Sequence, residues 1–359
     1  MCVRGNTTGR LCIADTDYCI GRGVAAIRGR HGTCLTSYLE FVLVHRQQEI
    51  LEKATGGGST FPNINKPQLE QLDVPLPDLK EQRAVAHVLR TLQRAKEATE
   101  KVIAATRQLK ASLMRHLFTY GPVAVKEADR VRLQETEIGP IPSHWQVDSL
   151  GNVSEFMQYG TSSRCSPDPF GSPVLRIPNV IGDVIDSQDL KYIQLDEEET
   201  RKYLLGEGDL LFVRTNGRRE YIGRCAVYRG QPSSALFASY LIRSRLCADE
   251  ILPDFMQLYA TTPAGRANLS GRASGSADGK FNINTQILKS VLLPKPTIEE
   301  QAEITRIVGA VSQTEAAARM RSDALGSLFE SLMHNLMTGK LRVKDLDPTV
   351  HSHDGTAAG

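Results

Sequence analysis

The stretch Asn63-Ile64-Asn65, continued by Pro75-Leu76-Pro77-Asp78-Leu79-Lys80-Glu81-Gln82, returns 219 positions later as Asn282-Ile283-Asn284 and Pro294-Lys295-Pro296-Thr297-Ile298-Glu299-Glu300-Gln301. The match runs without a gap over residues 61 to 121 and 280 to 340. It closes on Leu109, Ser112, Leu113, Met114, Leu117 and Thr119 against Leu328, Ser331, Leu332, Met333, Leu336 and Thr338. Composition alone does not hold one offset for so long, so the chain carries a duplicated unit. Its period is far beyond the roughly 20 to 50 residues of a stacked repeat, which points to two copies of a larger module.

Both copies share one plan. The proline pair forbids helix and favours extended backbone; then Asp78 or Thr297 can cap a helix whose first-turn glutamates complement its dipole. About forty residues without proline follow. In the first copy Val85, Val88, Leu92, Ala95, Thr99, Val102, Thr106, Leu109 and Leu113 recur at steps of three and four. In the second, Ile304, Ile307, Val311, Thr314, Ala318, Leu325, Leu328 and Leu332 repeat the seam. Such seams are those of a coiled coil, and at 1.5 Å per residue each rod is about 60 Å long. A rod of that length needs an apolar partner, and the duplication supplies one in the same chain. The expectation is an antiparallel helix pair that relates two modules by an approximate two-fold axis.

A length of 359 residues suffices for two domains. The net charge of +2 neither demands nor forbids a nucleic-acid partner. The seven cysteines form no CxxC pair and no ligand array with the eight histidines, so no metal site is expected and free thiols are. Neither a run of eighteen apolar residues nor an N-terminal signal pattern occurs, and the chain reads as cytoplasmic, without membrane attachment.

Along the chain, Cys2 to Arg4 reads as strand, and Cys19 to Gly29 resembles Tyr221 to Gly230. Ser37-Tyr38-Leu39 matches Ser239-Tyr240-Leu241, and Cys2-Val3-Arg4 with Asn6 parallels Phe212-Val213-Arg214 with Asn216. The first module thus reads as a partial copy of the second, without a counterpart to about residues 137 to 210. Gly21-x-Gly23 is a turn rather than a dinucleotide fingerprint, because Cys225 replaces the second glycine in the other copy. The glycine-rich segments 56–58 and 271–279 read as loops before each Asn-Ile-Asn, and the tail with His351 and His353 as flexible. The second module opens on Ile138-Gly139-Pro140-Ile141-Pro142-Ser143-His144-Trp145, where Trp145 can anchor a core. Half-buried strands are expected over 174–177, 190–195, 209–214, 222–228 and 238–246, and helices over 254–260 and 262–269, giving an α/β domain.

Three polar loops carry the candidate DNA contacts. Arg214, Asn216, Arg218 and Arg219 share a hairpin with Tyr221; Tyr159, Thr161 and Arg164 form a second loop; Arg272, Ser276 and Lys280 belong to a third. Arginine reads guanine edges and clamps phosphates, and asparagine reads adenine. No methyltransferase motif, Walker loop, HExxH or GxSxG occurs, and no residue stands out as catalytic.

Taken together, the proline-flanked stretch, the Glu-Gln opening, the long helix ending in Ser331-Leu332-Met333-His334-Asn335-Leu336-Met337-Thr338-Gly339-Lys340, the segment 139–145 and Gly208-Asp209-Leu210-Leu211-Phe212-Val213-Arg214 resemble the specificity subunit of type I restriction-modification systems. The resemblance implies one complete and one partial target recognition domain of α/β class, joined by two long helices in an antiparallel coiled coil. The segments become a partial first recognition domain (1–78), the first spacer helix (79–120), a connector (121–136), the second recognition domain (137–297), the second spacer helix (298–338) and a tail (339–359). It further implies a non-catalytic subunit that reads a split sequence in double-stranded DNA and docks two methyltransferase subunits and restriction subunits. S-adenosylmethionine, ATP and magnesium are then expected in those partners, with no cofactor in this chain. Val85, Leu92, Val102, Leu109, Leu113, Ile304, Val311, Leu325, Leu328 and Leu332 are the expected helix-pair or subunit interface. The first domain departs from the pattern, since it has no opening like 138–145, and a truncated or mis-started frame is the expectation there. Two other readings stay open: a protein-interaction scaffold without DNA reading, and an inactive truncated specificity subunit.

Overall fold

A computed structural model describes residues 1–55, 62–275 and 279–346. Two helices dominate it, Leu79–Tyr120 and Ile298–Met337. Asp78 caps the first by accepting the amides of Lys80 and Glu81 at 2.9 Å, and Thr297 caps the second by accepting that of Glu300 at 3.3 Å. The chain divides into two compact units, Met1–Ala105 with Glu315–Gly359, and Thr106–Thr314. Each unit takes part of both long helices, a division that cuts across the six linear segments.

Within each unit the helices pack antiparallel. In the first, Glu81 accepts the amide of Val343, and Val85 and Leu89 share a core with Met333, Leu336 and Met337. In the second, Leu117 shares a core with Ile304 and Val308. The inward positions of the first helix are Gln82, Val85, Leu89, Leu92, Lys96, Thr99, Ile103, Thr106, Lys110, Leu113 and Leu117. Those of the second are the same positions plus 219: Gln301, Ile304, Val308, Val311, Glu315, Ala318, Ser322, Leu325, Phe329, Leu332 and Leu336. Four of the nine expected seam positions in the first copy and three of the eight in the second are therefore one residue out of place. Val85, Leu92, Leu113, Ile304, Val311, Leu325 and Leu332 face inward, whereas Val102, Leu109 and Leu328 are 48%, 52% and 46% exposed. At two of these positions sequence reading follows the more apolar neighbour, Ala95 over Lys96 and Leu109 over Lys110, but the lysines lie inward because their methylene stems cover apolar surface while the ammonium reaches water.

Gln82 and Gln301, both fully buried, tie each module to its helix. Gln82 accepts the amide of Leu35 (2.8 Å) and donates to the carbonyls of Thr33 and Pro77 (2.9 and 2.8 Å). Gln301 does the same with Leu252 (2.8 Å), Glu250 and Pro296 (2.9 and 3.0 Å).

In the second unit an antiparallel sheet runs in the order Ser154–Tyr159, Leu241–Leu246, Leu210–Val213, Cys225–Val227. Leu210–Val213 was expected to be half buried, but all four residues are fully buried. Successive side chains point to opposite faces: Leu210 and Phe212 enter a core with Trp145, Phe255 and Met256, Leu211 and Val213 one with Leu175 and Phe237. The helices Pro253–Thr261 and Pro263–Leu269 form as the sequence suggests. Trp145 is buried, and its indole donates to Glu300 at 3.1 Å. Burial pushes the Glu300 carboxyl up, but hydrogen bonds from His144 and Trp145 outweigh it and hold the group below its ordinary value.

The first unit corrects the internal alignment. Residues 36–55 form helices Thr36–His45 and Gln47–Thr55 instead of a counterpart to the strand at Leu241. Cys2 exchanges backbone hydrogen bonds with Gly9 and Arg10 as Val213 does with Gly223 and Arg224, and it bridges Val24 as Val213 pairs with Leu241. Ile64 donates to Val3 as Ile283 donates to Arg214. Residues from Val24 onward therefore stand where the strand from Leu241 stands, not where 226–230 do. The short Gly-Arg motif occurs at 9–10 as well as 21–22, and only backbone pairing tells which copy is equivalent.

Candidate nucleic-acid interface

The buried strand Leu210–Val213 delivers Arg214 to one edge of the second unit. Its amide donates to Tyr240 (3.0 Å) and its carbonyl accepts from Ile283 (2.9 Å). Its guanidinium lies 4.6 Å over the Tyr159 ring, and Nη1 donates to the Ser239 carbonyl at 3.2 Å. The Tyr159 hydroxyl accepts the amide of Thr285 at 3.1 Å. Segments from four parts of the chain thus fix one guanidinium plane, with a stacking contribution of about 0.5 to 2 kcal/mol. Gly160 permits this approach, since a Cβ there would lie 2.1 Å from the Phe237 carbonyl oxygen.

Beyond Arg214, Thr215–Asn216 pairs with Phe281–Asn282, which pairs with Ser274–Gly275. Two of the predicted loops thereby become one small sheet. The Asn216 side chain accepts the amide of Arg218 at 2.9 Å, the turn-stabilising bond that asparagine supplies. The Arg218 guanidinium lies 5.1 Å from the Tyr221 ring centre and its Nη2 is 2.6 Å from Glu220. Arg224 stacks on the same ring at 5.2 Å and donates to the Ile181 carbonyl at 3.0 Å.

Not every predicted contact points outward. Arg219 donates to the carbonyls of Ser270, Gly271 and Ala273 at 2.9, 2.8 and 3.3 Å, and Arg272 to the carbonyl and hydroxyl of Ser290 at 2.9 and 3.0 Å. Both guanidiniums brace the loop. Thr161 is buried, and its hydroxyl accepts the amide of Ser163 at 3.1 Å. Arg164 is exposed on its own loop with no side-chain partner among the described residues, and Lys280 is exposed beside Phe281. Ser276 lies outside the described residues. Arg214, Asn216, Arg218 and Tyr159 remain as a coherent face.

Sequence reasoning missed Asn282 and Tyr240. Asn282 Oδ1 is a buried side-chain oxygen without a hydrogen-bond partner among the described residues, and Arg214 Nε is likewise unpartnered. Buried polar atoms are almost always satisfied, so an orphan asks for a ligand, an ion or water. Tyr240 is 58% exposed beside Arg214. The repeated Asn-Ile-Asn was the available signal for Asn282, but nothing in it separates a structural asparagine from one facing a ligand.

Behind the face, Asp209 is fully buried and receives a bidentate pair from Arg245 at 2.7 and 2.9 Å. This explains the Gly208-Asp209 motif as the lock between two central strands. Among the described residues no three His, Cys, Asp or Glu side chains stand together as a metal-holding group, and no helix is long and apolar enough to cross a membrane.

Residues 3–106 match the family model described as Type I restriction modification DNA specificity domain. The specificity subunit of the type I restriction enzyme EcoKI from Escherichia coli (strain K12) is 27% identical over 308 residues, covering 84% of this chain and 65% of that protein. The putative type I restriction enzyme MjaX specificity subunit from Methanocaldococcus jannaschii is 29% identical over 206 residues, covering 57% and 48%. This chain thus spans less than two thirds of either relative. Among solved structures, the S subunit of a type I restriction-modification system from M. genitalium superposes with a TM-score of 0.61 at 15% identity, over 94% of this chain and 81% of that one. The latter likeness is one of fold.

Proposed function

We propose that this chain, a relative of the type I restriction specificity subunits, is the DNA-recognition subunit of a type I restriction-modification complex. It reads part of a split duplex target through the face around Arg214. The observation that carries this reading is the fixed Arg214 guanidinium, stacked on Tyr159 with its Nε and the neighbouring Asn282 Oδ1 both unsatisfied. A guanidinium held in one plane is what bidentate recognition of a base edge requires, and an amide beside it suits the donor and acceptor pattern of adenine. Arg218 and Arg164, both exposed, suit phosphates.

In this reading the chain performs no chemistry. Two methyltransferase subunits supply S-adenosylmethionine-dependent adenine methylation, and restriction subunits supply ATP- and magnesium-dependent cleavage, in the cytoplasm. Exposed Val102, Leu109, Met320 and Leu328 on the long helices support a protein partner there. The same residues favour the second reading, a scaffold without DNA contact. Gel-shift assays on a randomised duplex pool, with and without a methyltransferase subunit, separate the two. Selection of a defined sequence supports recognition, and absence of salt-dependent binding under every condition refutes it.

A further inference from the structure

The turn that follows Arg214 puts a carboxylate on a face otherwise suited to phosphates. Arg219–Tyr221 is one turn of 3-10 helix, and its backbone is fixed from several sides. The Arg218 amide donates to the Asn216 side chain (2.9 Å), the Tyr221 amide to the Arg218 carbonyl (3.1 Å), and Arg266 Nη2 to the carbonyls of Glu220 and Ile222 (both 2.8 Å). On this frame Glu220 reaches back to Arg218, whose Nη2 lies 2.6 Å from its carboxylate. Arg218 Nη1 donates to the Tyr221 hydroxyl at 3.4 Å, and the guanidinium covers the Tyr221 ring. A contact of this length is a charge-assisted hydrogen bond, and a carboxylate engages a guanidinium as a phosphate does.

Glu220 is not needed to form this turn. In the first unit Gly5–Thr7 makes the equivalent one: the Thr8 amide donates to Gly5 as that of Ile222 donates to Arg219, and the next residue, Gly9 or Gly223, donates back to the strand at Cys2 or Val213. Asn6 stands there in place of Glu220, and the turn closes without an acidic residue. Nor does the pair hold the chain together. The Arg218 and Glu220 side chains are 66% and 57% exposed, and an ion pair in water contributes little to stability. The carboxylate instead sets the charge of the rim. Arg219, Arg224 and Arg266 are committed to carbonyls, so Arg218 is the guanidinium of this turn that can swing outward, and Glu220 neutralises it in the unbound protein.

We propose that Glu220 is an internal stand-in for a DNA phosphate. It holds Arg218 on the Tyr221 ring until a backbone phosphate displaces it, and so lowers the affinity of this face for duplex of any sequence. The role rests on the DNA reading of the Arg214 face. With both groups two residues apart on a fixed turn, the effective concentration of carboxylate is high. The competition weakens each sequence-independent encounter by about two- to fivefold, the equivalent of an exposed ion pair. Arg214, fixed by Tyr159 and Ser239 rather than by an acid, keeps its contact. Fluorescence anisotropy on a random-sequence duplex, run over a salt series with the full chain, tests this. Glu220→Gln should bind about two- to fivefold more tightly at low salt, with log K against log salt steeper by about 0.9, one further phosphate neutralised. In an Arg218→Ala background the same change should have no effect, because no guanidinium is left to release. Parent-like affinity and slope in Glu220→Gln, or an undiminished gain without Arg218, would each overturn the proposal while leaving DNA binding in place. If neither the parent nor any variant shows salt-dependent binding, the DNA reading itself fails and the attenuating role with it.

Discussion

Replacing Gln301 by Leu keeps the size of a fully buried side chain and removes three hydrogen bonds at 2.8 to 3.0 Å. Each bond is worth about 1 kcal/mol net, and each buried group left unpaired adds a penalty of about 1 to 3 kcal/mol. The Leu252 amide and the Glu250 and Pro296 carbonyls lose a partner together, while leucine returns some apolar contact. The net expectation is about 4 kcal/mol of destabilisation. Trp145 is the one tryptophan and sits in the core of the second unit, with its indole on the residue before Gln301. Its fluorescence therefore reports this unit alone during urea unfolding. With a urea slope of about 2 to 3 kcal/mol/M, the midpoint should fall by about 1.5 M. Gln82→Leu makes the same change in the first unit and should move the Trp145 transition by less than about 0.5 kcal/mol. A Gln301→Leu midpoint within about 0.2 M of the parent, or equal shifts from both variants, would refute the reasoning.

Glu300 is held below its ordinary value, so the unfolded chain binds its proton at higher pH than the folded one. Its contribution is present above pH about 4.5 and disappears as pH falls through the lower folded value. Glu300→Gln should then cost about 1 kcal/mol at neutral pH and progressively less below pH 4, read from the same Trp145 transition; a pH-independent difference would mean that charge plays no part. Arg214→Ala and Arg219→Ala should part company. The first should cost about 1 to 3 kcal/mol on the selected target and little on random duplex, while the second should first raise hydrogen exchange over 270–275, because its guanidinium holds those carbonyls. Equal losses for Arg214→Ala on every sequence would make it a phosphate contact.

Much of the architecture is legible without coordinates because the signals are local. The proline pairs, the caps at Asp78 and Thr297 and the uninterrupted helical periodicity depend on neighbours a few residues away. The face around Arg214 was only half legible. Arginine, asparagine and tyrosine in one hairpin name the chemistry, but Arg218 and Arg219 are adjacent and identical in sequence, and one pairs with Glu220 two residues on while the other braces carbonyls fifty residues on. That difference lies in the path of the 270–273 loop, which no local pattern encodes.

The sequence by itself determined the duplication, the two long helices and several strands of the second module, since each follows from repetition, backbone stereochemistry or periodicity along the chain, whereas the order of strands in the sheet and the strand Ser154–Tyr159 came from the tertiary structure. Only the tertiary structure decided which heptad residues face inward, because a lysine stem such as that of Lys110 and the neighbouring Leu109 compete for the same side of a helix. It also decided which Gly-Arg pair of the first module matches the second, because strand identity resides in hydrogen-bond partners and not in the residues themselves.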